Sequence, residues 1–199
     1  MLKLPLSYYQ QNDVLFLAQD LIGKKLCTRI DDSFTAGIIT ETEAYRGWGD
    51  KACHAHAGKR TKRTEVMYQS GGVAYVYLCY GIHNLFNIIT NQQDSADAVL
   101  IRAIEPTNGI DTMLQRRNMQ EVQPRLTAGP GSMSKALGIS RNHYGEPLTG
   151  DLVWLEKTEQ QVLPENITAT TRIGIDYAGE DALLPWRYYK TDSPFVSRL

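Results

Sequence analysis

Tyr75-Val76-Tyr77-Leu78-Cys79-Tyr80-Gly81 alternates aromatic and aliphatic side chains and then stops at a Tyr-Gly turn. A period of two places Tyr75 and Tyr77 on one face of a strand and Val76 and Leu78 on the other. The full run Val73–Cys79 is followed by Leu85–Thr90 and Ala98–Ile104, and all three read as strands rich in β-branched and aromatic residues. Upstream, Leu26–Ile30 and Thr35–Thr40 read as strands joined by the turn Asp31-Asp32-Ser33, and downstream Leu152–Leu155 and Thr168–Ile175 read as two more. Helical spacing is confined to three places. Val14, Leu17, Ala18, Leu21 and Ile22 precede a Gly23 stop, and Ile110–Asn118 forms a second helix. Gly129-Pro130-Gly131-Ser132 leads into an N-capped helix that reaches Leu137 and stops at Gly138. Residues 46–63 have no periodicity and read as a long loop with one helical turn. The pattern implies an α+β fold: one domain over residues 1–199, its sheet mainly antiparallel and flanked by helices.

Composition narrows the class. The chain of 199 residues is 42% hydrophobic and 22% charged, the balance of a globular protein with one sizeable core. No apolar run approaches the roughly 18 residues of a membrane span, so no membrane partner is expected. Met1–Leu6 is too short and too soon interrupted by Pro5 for a signal peptide. Three cysteines, Cys27, Cys53 and Cys79, cannot all pair within the chain, which suits a reducing, cytoplasmic setting. The net charge of −1 argues against nonspecific coating of nucleic acid, but the charges are unevenly spread. Residues 46–63 hold Arg46, Lys51, Lys59, Arg60, Lys62 and Arg63 against Asp50 alone, whereas residues 146–165 hold five acids against Lys157. Such a chain has a one-sided electrostatic footprint or two solvated surfaces.

The chemistry concentrates near Glu41-Thr42-Glu43-Ala44-Tyr45, at the end of the apolar strand Ile38-Ile39-Thr40. A carboxylate at such a boundary is partly desolvated and suits a general base. Alternation puts Glu41 and Glu43 on the same face, so spacing does not choose between them. Arg102 interrupts the apolar run Val99–Ile104, and a charge inside a strand needs a partner such as Glu43. Tyr75 and Tyr77 can stack on bases or simply pack a sheet, and Tyr80 at its turn can project as a wedge or fold back. Cys53-His54-Ala55-His56 lacks the paired spacing of structural zinc, so no metal and no cofactor are expected. Gly129-Pro130-Gly131-Ser132 lacks the spacing of a phosphate-binding P-loop.

These motifs together resemble the alkyladenine, or 3-methyladenine, DNA glycosylase family. The likeness runs in order through E-T-E-A-Y at 41–45, His54, T-K-R-T at 61–64, Y-V-Y-L-C-Y-G at 75–81, Asn87, V-L-I-R-A-I-E-P at 99–106, G-P-G at 129–131, R-I-G-I at 172–175, A-G-E at 178–180 and S-P-F-V-S at 193–197. It implies a compact domain with a curved antiparallel sheet, and a monofunctional enzyme that flips a damaged purine from double-stranded DNA and hydrolyses its N-glycosidic bond. It implies Glu43 as the base that activates water, and Arg102 with the main-chain carbonyl of Ile173 as groups that position that water. Tyr45, His54 and Tyr77 resemble the pocket walls, Asn87 the residue that disfavours the guanine amine, and Tyr80 the wedge. Lys59, Arg60, Lys62, Arg63 and Lys135 are expected on the DNA backbone. Ser132 stands where the family is expected to have lysine. The expected partner is duplex DNA with damaged purines, bound by a monomer. Two other classes fit parts of the residue pattern. A nonenzymatic single-strand binder explains the rings and the basic loop but not the carboxylate with its arginine. A small-molecule nucleoside hydrolase explains the carboxylate but needs neither wedge nor loop.

Overall fold

The computed structural model describes residues 2–159 and 161–197. Its strands in chain order are β1 (Lys25–Ile30), β2 (Ser33–Tyr45), β3 (Ala74–Cys79), β4 (His83–Thr90), β5 (Asp97–Asn108), β6 (Val153–Glu156), β7 (Ile167–Thr170) and β8 (Arg187–Lys190). All lie in one sheet, in the order β3-β4-β5-β2-β1-β6, with β8 between β2 and β7. Every strand pairing is antiparallel, as the sequence pattern requires. The longest pairing joins β2 to β5, and β2 organises the rest. One of its edges takes β5; the other takes β1 along its first half and β8 at Glu41–Glu43.

The ladder between β2 and β5 slips twice beside the acidic residues, between Ile39 and Glu41 and between Glu41 and Thr42. The first slip leaves Thr40 unpaired and the second leaves Arg102 unpaired. Bulges of this kind bend a strand and re-aim its side chains. Here they bring Glu41, Glu43 and Arg102 onto a common face.

Alternation along the neighbouring strands then separates the molecule into two sides. Ala44, Val76, Phe86, Ile88, Val99 and Ile101 point to the main core. This side is covered by α2 (Val14–Asp20) and α4 (Pro130–Leu137), with α3 (Ile110–Arg117) against α4 and the short α1 (Leu6–Tyr9) near the N-terminus. Each buried side chain of this size contributes about 1.5–3 kcal/mol relative to exposure. The caps are local: the Asp13 carboxylate accepts from the Leu15 and Phe16 amides at the start of α2, and Gly138, at φ 77°, ends α4.

Three differences from the sequence expectation bear on the site. The strand expected at Thr35–Thr40 continues to Tyr45, so Glu43 lies inside a strand and not beyond it. The strand expected at Thr168–Ile175 ends at Thr170. The chain leaves the sheet there because Arg172 and the Ile173 amide turn inward to bond Ala44 and Glu43. β8 is an addition, short and flanked by charge.

The 46–63 loop is held from within. It contains a short turn at His56–Gly58. Asp50, fully buried, accepts from Arg172 Nη1 at 2.6 Å and Nη2 at 2.9 Å, and from the Ala52 amide at 2.9 Å. Arg172 also donates to the carbonyls of Ala44 and Asp181 and lies against the rings of Tyr45 and Trp186. Asp50→Ala strands a buried guanidinium, and is expected to lower the unfolding free energy in urea by about 3–5 kcal/mol. A change below about 1 kcal/mol, the range of an exposed pair, would show that this pair does not hold the loop.

Candidate active site

On the second side of the sheet, alternate residues of four strands open onto one cavity of about 600 Å³. Glu43 and Tyr45 come from β2, Ala98, Leu100 and Arg102 from β5, Leu85 and Asn87 from β4, and Tyr75, Tyr77 and Cys79 from β3. The loop around His54, the start of α4 and residues 173–177 complete the walls.

The two carboxylates that spacing left equivalent have different surroundings. Both are fully buried. Glu43 lines the cavity and Glu41 does not. Glu41 Oε1 accepts from Arg102 Nε at 2.8 Å, Arg187 Nε at 2.7 Å and Ser197 Oγ at 2.7 Å, and its Oε2 accepts from the Ser197 amide at 2.7 Å. Glu43 Oε1 takes the Ile173 amide at 2.8 Å and stands 3.1 Å from Arg102 Nη1, while its Oε2 takes the Tyr45 hydroxyl at 2.7 Å. A carboxylate has about four lone-pair sites, so Glu43 keeps acceptor capacity beside open space. The partner expected for Arg102 is therefore present, and Glu41 shares it. Ile173 meets Glu43 through its N–H, and among the described residues no hydrogen bond reaches its carbonyl.

The ring residues assemble as two sides. His54 meets Tyr77 edge-on at 4.7 Å between ring centres, and Tyr77 stacks on Tyr75 at 5.4 Å. In contact, these rings form one composite wall. Tyr45 rises from β2, three strand positions away, and Tyr177, which sequence reasoning missed, stands at the rim with its hydroxyl on the Ala52 carbonyl. Burial, reinforced by Arg63 and Lys59, pushes the His54 pKa down to about 4. Its Nδ1 shares a 2.9 Å hydrogen bond with the Tyr75 hydroxyl, which burial keeps protonated. Asn87 is pinned: its Nδ2 donates to the Tyr75 carbonyl at 3.2 Å and the Leu85 carbonyl at 3.4 Å.

Tyr80 sits at the tip of the β3–β4 hairpin, 86% exposed and with a left-handed φ of 50° that side chains rarely adopt. The neighbouring Ile82 is 72% exposed. His83 packs its ring on Gly131, where a Cβ would lie 2.7 Å from the imidazole, so the hairpin is braced against α4. Ser132 does not cap that helix. Its hydroxyl accepts from Arg117 Nη2 at 3.0 Å, which brings Arg117 beside Lys135 in a cleft next to the hairpin. Arg117 had no sequence signal, because its position depends on a packing of α3 against α4.

The basic residues divide. Lys59, Lys62 and Arg63 are exposed, and among the described residues no ion pair joins them to a carboxylate. Arg60, also exposed, has partners within the protein. It is bonded to Glu65 and Asp94 and lies 4.7 Å over the Tyr68 ring, so it secures the loop. Among the described residues no three His, Cys, Asp or Glu side chains gather as metal ligands. The Cys53 thiol faces the Ala96 carbonyl. No helix among them is long and apolar enough to cross a membrane.

Comparison with known proteins gives the family of the chain. The model of the methylpurine-DNA glycosylase family matches residues 7–194. A protein of Chlamydia felis is 48% identical over 187 residues, covering 93% of this chain and 94% of its own, and one of Bacillus thuringiensis is 44% identical over 202 residues, covering 98% of each. Both carry the provisional name 3-methyladenine DNA glycosylase. The chain belongs to the methylpurine-DNA glycosylase family.

His54 is expected to stay neutral at pH 7 and to titrate near 4 by NMR of its imidazole. An unfolded histidine takes its proton near pH 6.5, so this group favours the fold above that pH and the contribution is lost as pH falls toward 4. A midpoint near 6.5 would show that the ring is solvated.

Proposed function

We propose that this member of the methylpurine-DNA glycosylase family flips a damaged purine out of duplex DNA and hydrolyses its N-glycosidic bond with a water activated by Glu43. One observation carries the reading. A buried carboxylate with spare acceptor capacity sits on the floor of an aromatic-walled cavity, held by an arginine, a main-chain amide and a tyrosine hydroxyl. Family membership favours a glycosylase over a nonenzymatic binder or a small-molecule nucleoside hydrolase.

In the transition state the sugar carries oxocarbenium charge, which an ionised carboxylate stabilises electrostatically. The water oxygen bonds to the anomeric carbon, its proton passes to Glu43, and the electrons of the broken bond leave with the base. Arg102 and the Ile173 amide hold Glu43 in place, and the Ile173 carbonyl is the proposed second partner of the water. An alkylated purine leaves readily because it is already cationic, and electron-rich ring faces favour it. Tyr45 on one side and His54 with Tyr77 on the other hold the flipped base. The pinned Asn87 amide cannot swing aside, which supports its role in disfavouring the exocyclic amine of guanine. Lys59, Lys62 and Arg63 hold phosphates near the cavity mouth. Arg117 and Lys135 do so beside the hairpin, where Ser132 replaces the expected lysine. The reading takes the protein as a monomer on its DNA.

The test is incubation with duplex DNA carrying one hypoxanthine or 7-methylguanine. Free base and an abasic site are expected, and tight binding without release would favour the nonenzymatic binder. Glu43→Gln is expected to bind the lesion and to lose about 10²–10⁴ in single-turnover rate; near wild-type release would move the base elsewhere. Flipping costs a few kcal/mol of stacking and pairing, which an inserted Tyr80 ring offsets in part. Tyr80→Ala should therefore slow release from a paired lesion more than from a single-stranded one. Equal slowing would assign Tyr80 to the pocket or the fold.

A further inference from the structure

We propose that the C-terminal segment Ser193–Ser197 is a strap that positions Arg102, and through it Glu43, with Ser197 and Glu41 as positioning residues. The inference rests on the reading of Glu43 as the base.

Only one corner of the Arg102 guanidinium faces Glu43, through Nη1 at 3.1 Å. Its Nε is held by Glu41 at 2.8 Å and its Nη2 by Ser197 Oγ at 3.1 Å. A planar fork gripped at two corners has its third corner fixed in direction. Ser197 uses every polar group it has for this. Its hydroxyl accepts from Arg102 and donates to Glu41 Oε1 at 2.7 Å. Its amide donates to Glu41 Oε2 at 2.7 Å, and its carbonyl accepts from Arg187 Nη2 at 3.0 Å. Two residues earlier the Phe195 carbonyl accepts from the Thr40 hydroxyl at 2.6 Å. Thr40 is the residue left unpaired by the β2 bulge, so the strap seats on the distortion that re-aims the acids.

The segment is tied to a fully buried carboxylate, Glu41, that does not line the cavity. The arrangement has no direct access to substrate, and its effect passes through Arg102. An undocked strap leaves Arg102 Nη2 without its acceptor and Glu41 without two donors, and the guanidinium then loses its fixed orientation toward Glu43.

The experiment measures single-turnover base release and the dissociation constant for the same lesion duplex in Ser197→Ala, Ser197→Thr, Thr40→Val and Glu43→Gln. Thr40→Val removes the outer anchor and touches no arginine, so it serves if Ser197→Ala folds poorly. Misplacement of a reacting group by about 1 Å costs up to about 100-fold. Ser197→Ala and Thr40→Val are expected to slow release by about tenfold to 100-fold on that scale, with lesion binding unchanged. Ser197→Thr, which keeps the hydroxyl, should restore most of the rate. Unchanged release in both variants overturns the proposal. So does a parallel loss of rate, binding and melting temperature, because the strap would then only support the fold. Release by Glu43→Gln at the wild-type rate defeats the base assignment, whereas an inactive Glu43→Gln beside a fully active Ser197→Ala defeats the strap alone.

Discussion

Two carboxylates buried two residues apart on β2 set the conditions that the remaining structure meets. Ionised and unpaired, each would cost several kcal/mol in a protein interior, and each worsens the other. The fold answers with two guanidinium groups, Arg102 from β5 and Arg187 from β8, so that the four charges cancel. Neither arginine is near the acids in sequence. Arg102 reaches them because a bulge frees it from the ladder. Arg187 reaches them because β8 pairs directly with Glu41–Glu43. The position of a short, charged strand between β2 and β7 follows from the need to neutralise a carboxylate.

That neutralisation leaves one acid available for chemistry. Glu41 is consumed by its donors and acts as an anchor, while Glu43 faces a cavity. The strand period of two makes the division useful. Thr42 between the acids bonds the Ala18 carbonyl of α2, and Ala44 with its counterparts on β3, β4 and β5 faces the apolar core, so the plate that carries the acids is packed from behind by α2 and α4. A site on strands backed by a core is held more precisely than one on loops, which suits the proposed aiming of one water.

Much of this was legible in the sequence, for physical reasons. The alternation of Tyr75–Cys79 and the apolar runs of β4 and β5 are local signals, and local signals fixed the antiparallel sheet and the shared face of Glu41 and Glu43. The demand of Arg102 for a carboxylate was also legible, because a charge amid Val99–Ile104 is expensive wherever it goes. The different surroundings of the two acids were not legible in spacing. They depend on Arg187 and Ser197, 146 and 156 residues beyond Glu41, and no period or spacing links them. Asp50 read as one acid in a basic loop, but it is the buried hub that orders that loop through Arg172, 122 residues away. The strand expected through Ile175 failed for the same cause. Ile173 and Ile175 favour a strand locally, yet the hydrogen bonds of Arg172 and Ile173 to β2 and its acid outweigh that preference.

The same long-range pairs explain how a chain of net charge −1 suits a polyanionic substrate. Arg102, Arg172 and Arg187 are matched by internal carboxylates and add little to the outer field. Arg63 lines the cavity, Lys59 is close enough to His54 to help lower its pKa, and Arg117 and Lys135 line the cleft beside the hairpin. Acidic Glu156 belongs to β6, at the opposite edge of the sheet from β3. Five strand spacings of about 4.8 Å separate those edges by about 24 Å. Exposed charges are screened over about 8 Å at physiological ionic strength. At that range Glu156 adds little to the field at the β3 edge. In the proposed reading a phosphate backbone at the cavity meets Arg63, Arg117 and Lys135 at short range, where their charges are screened least.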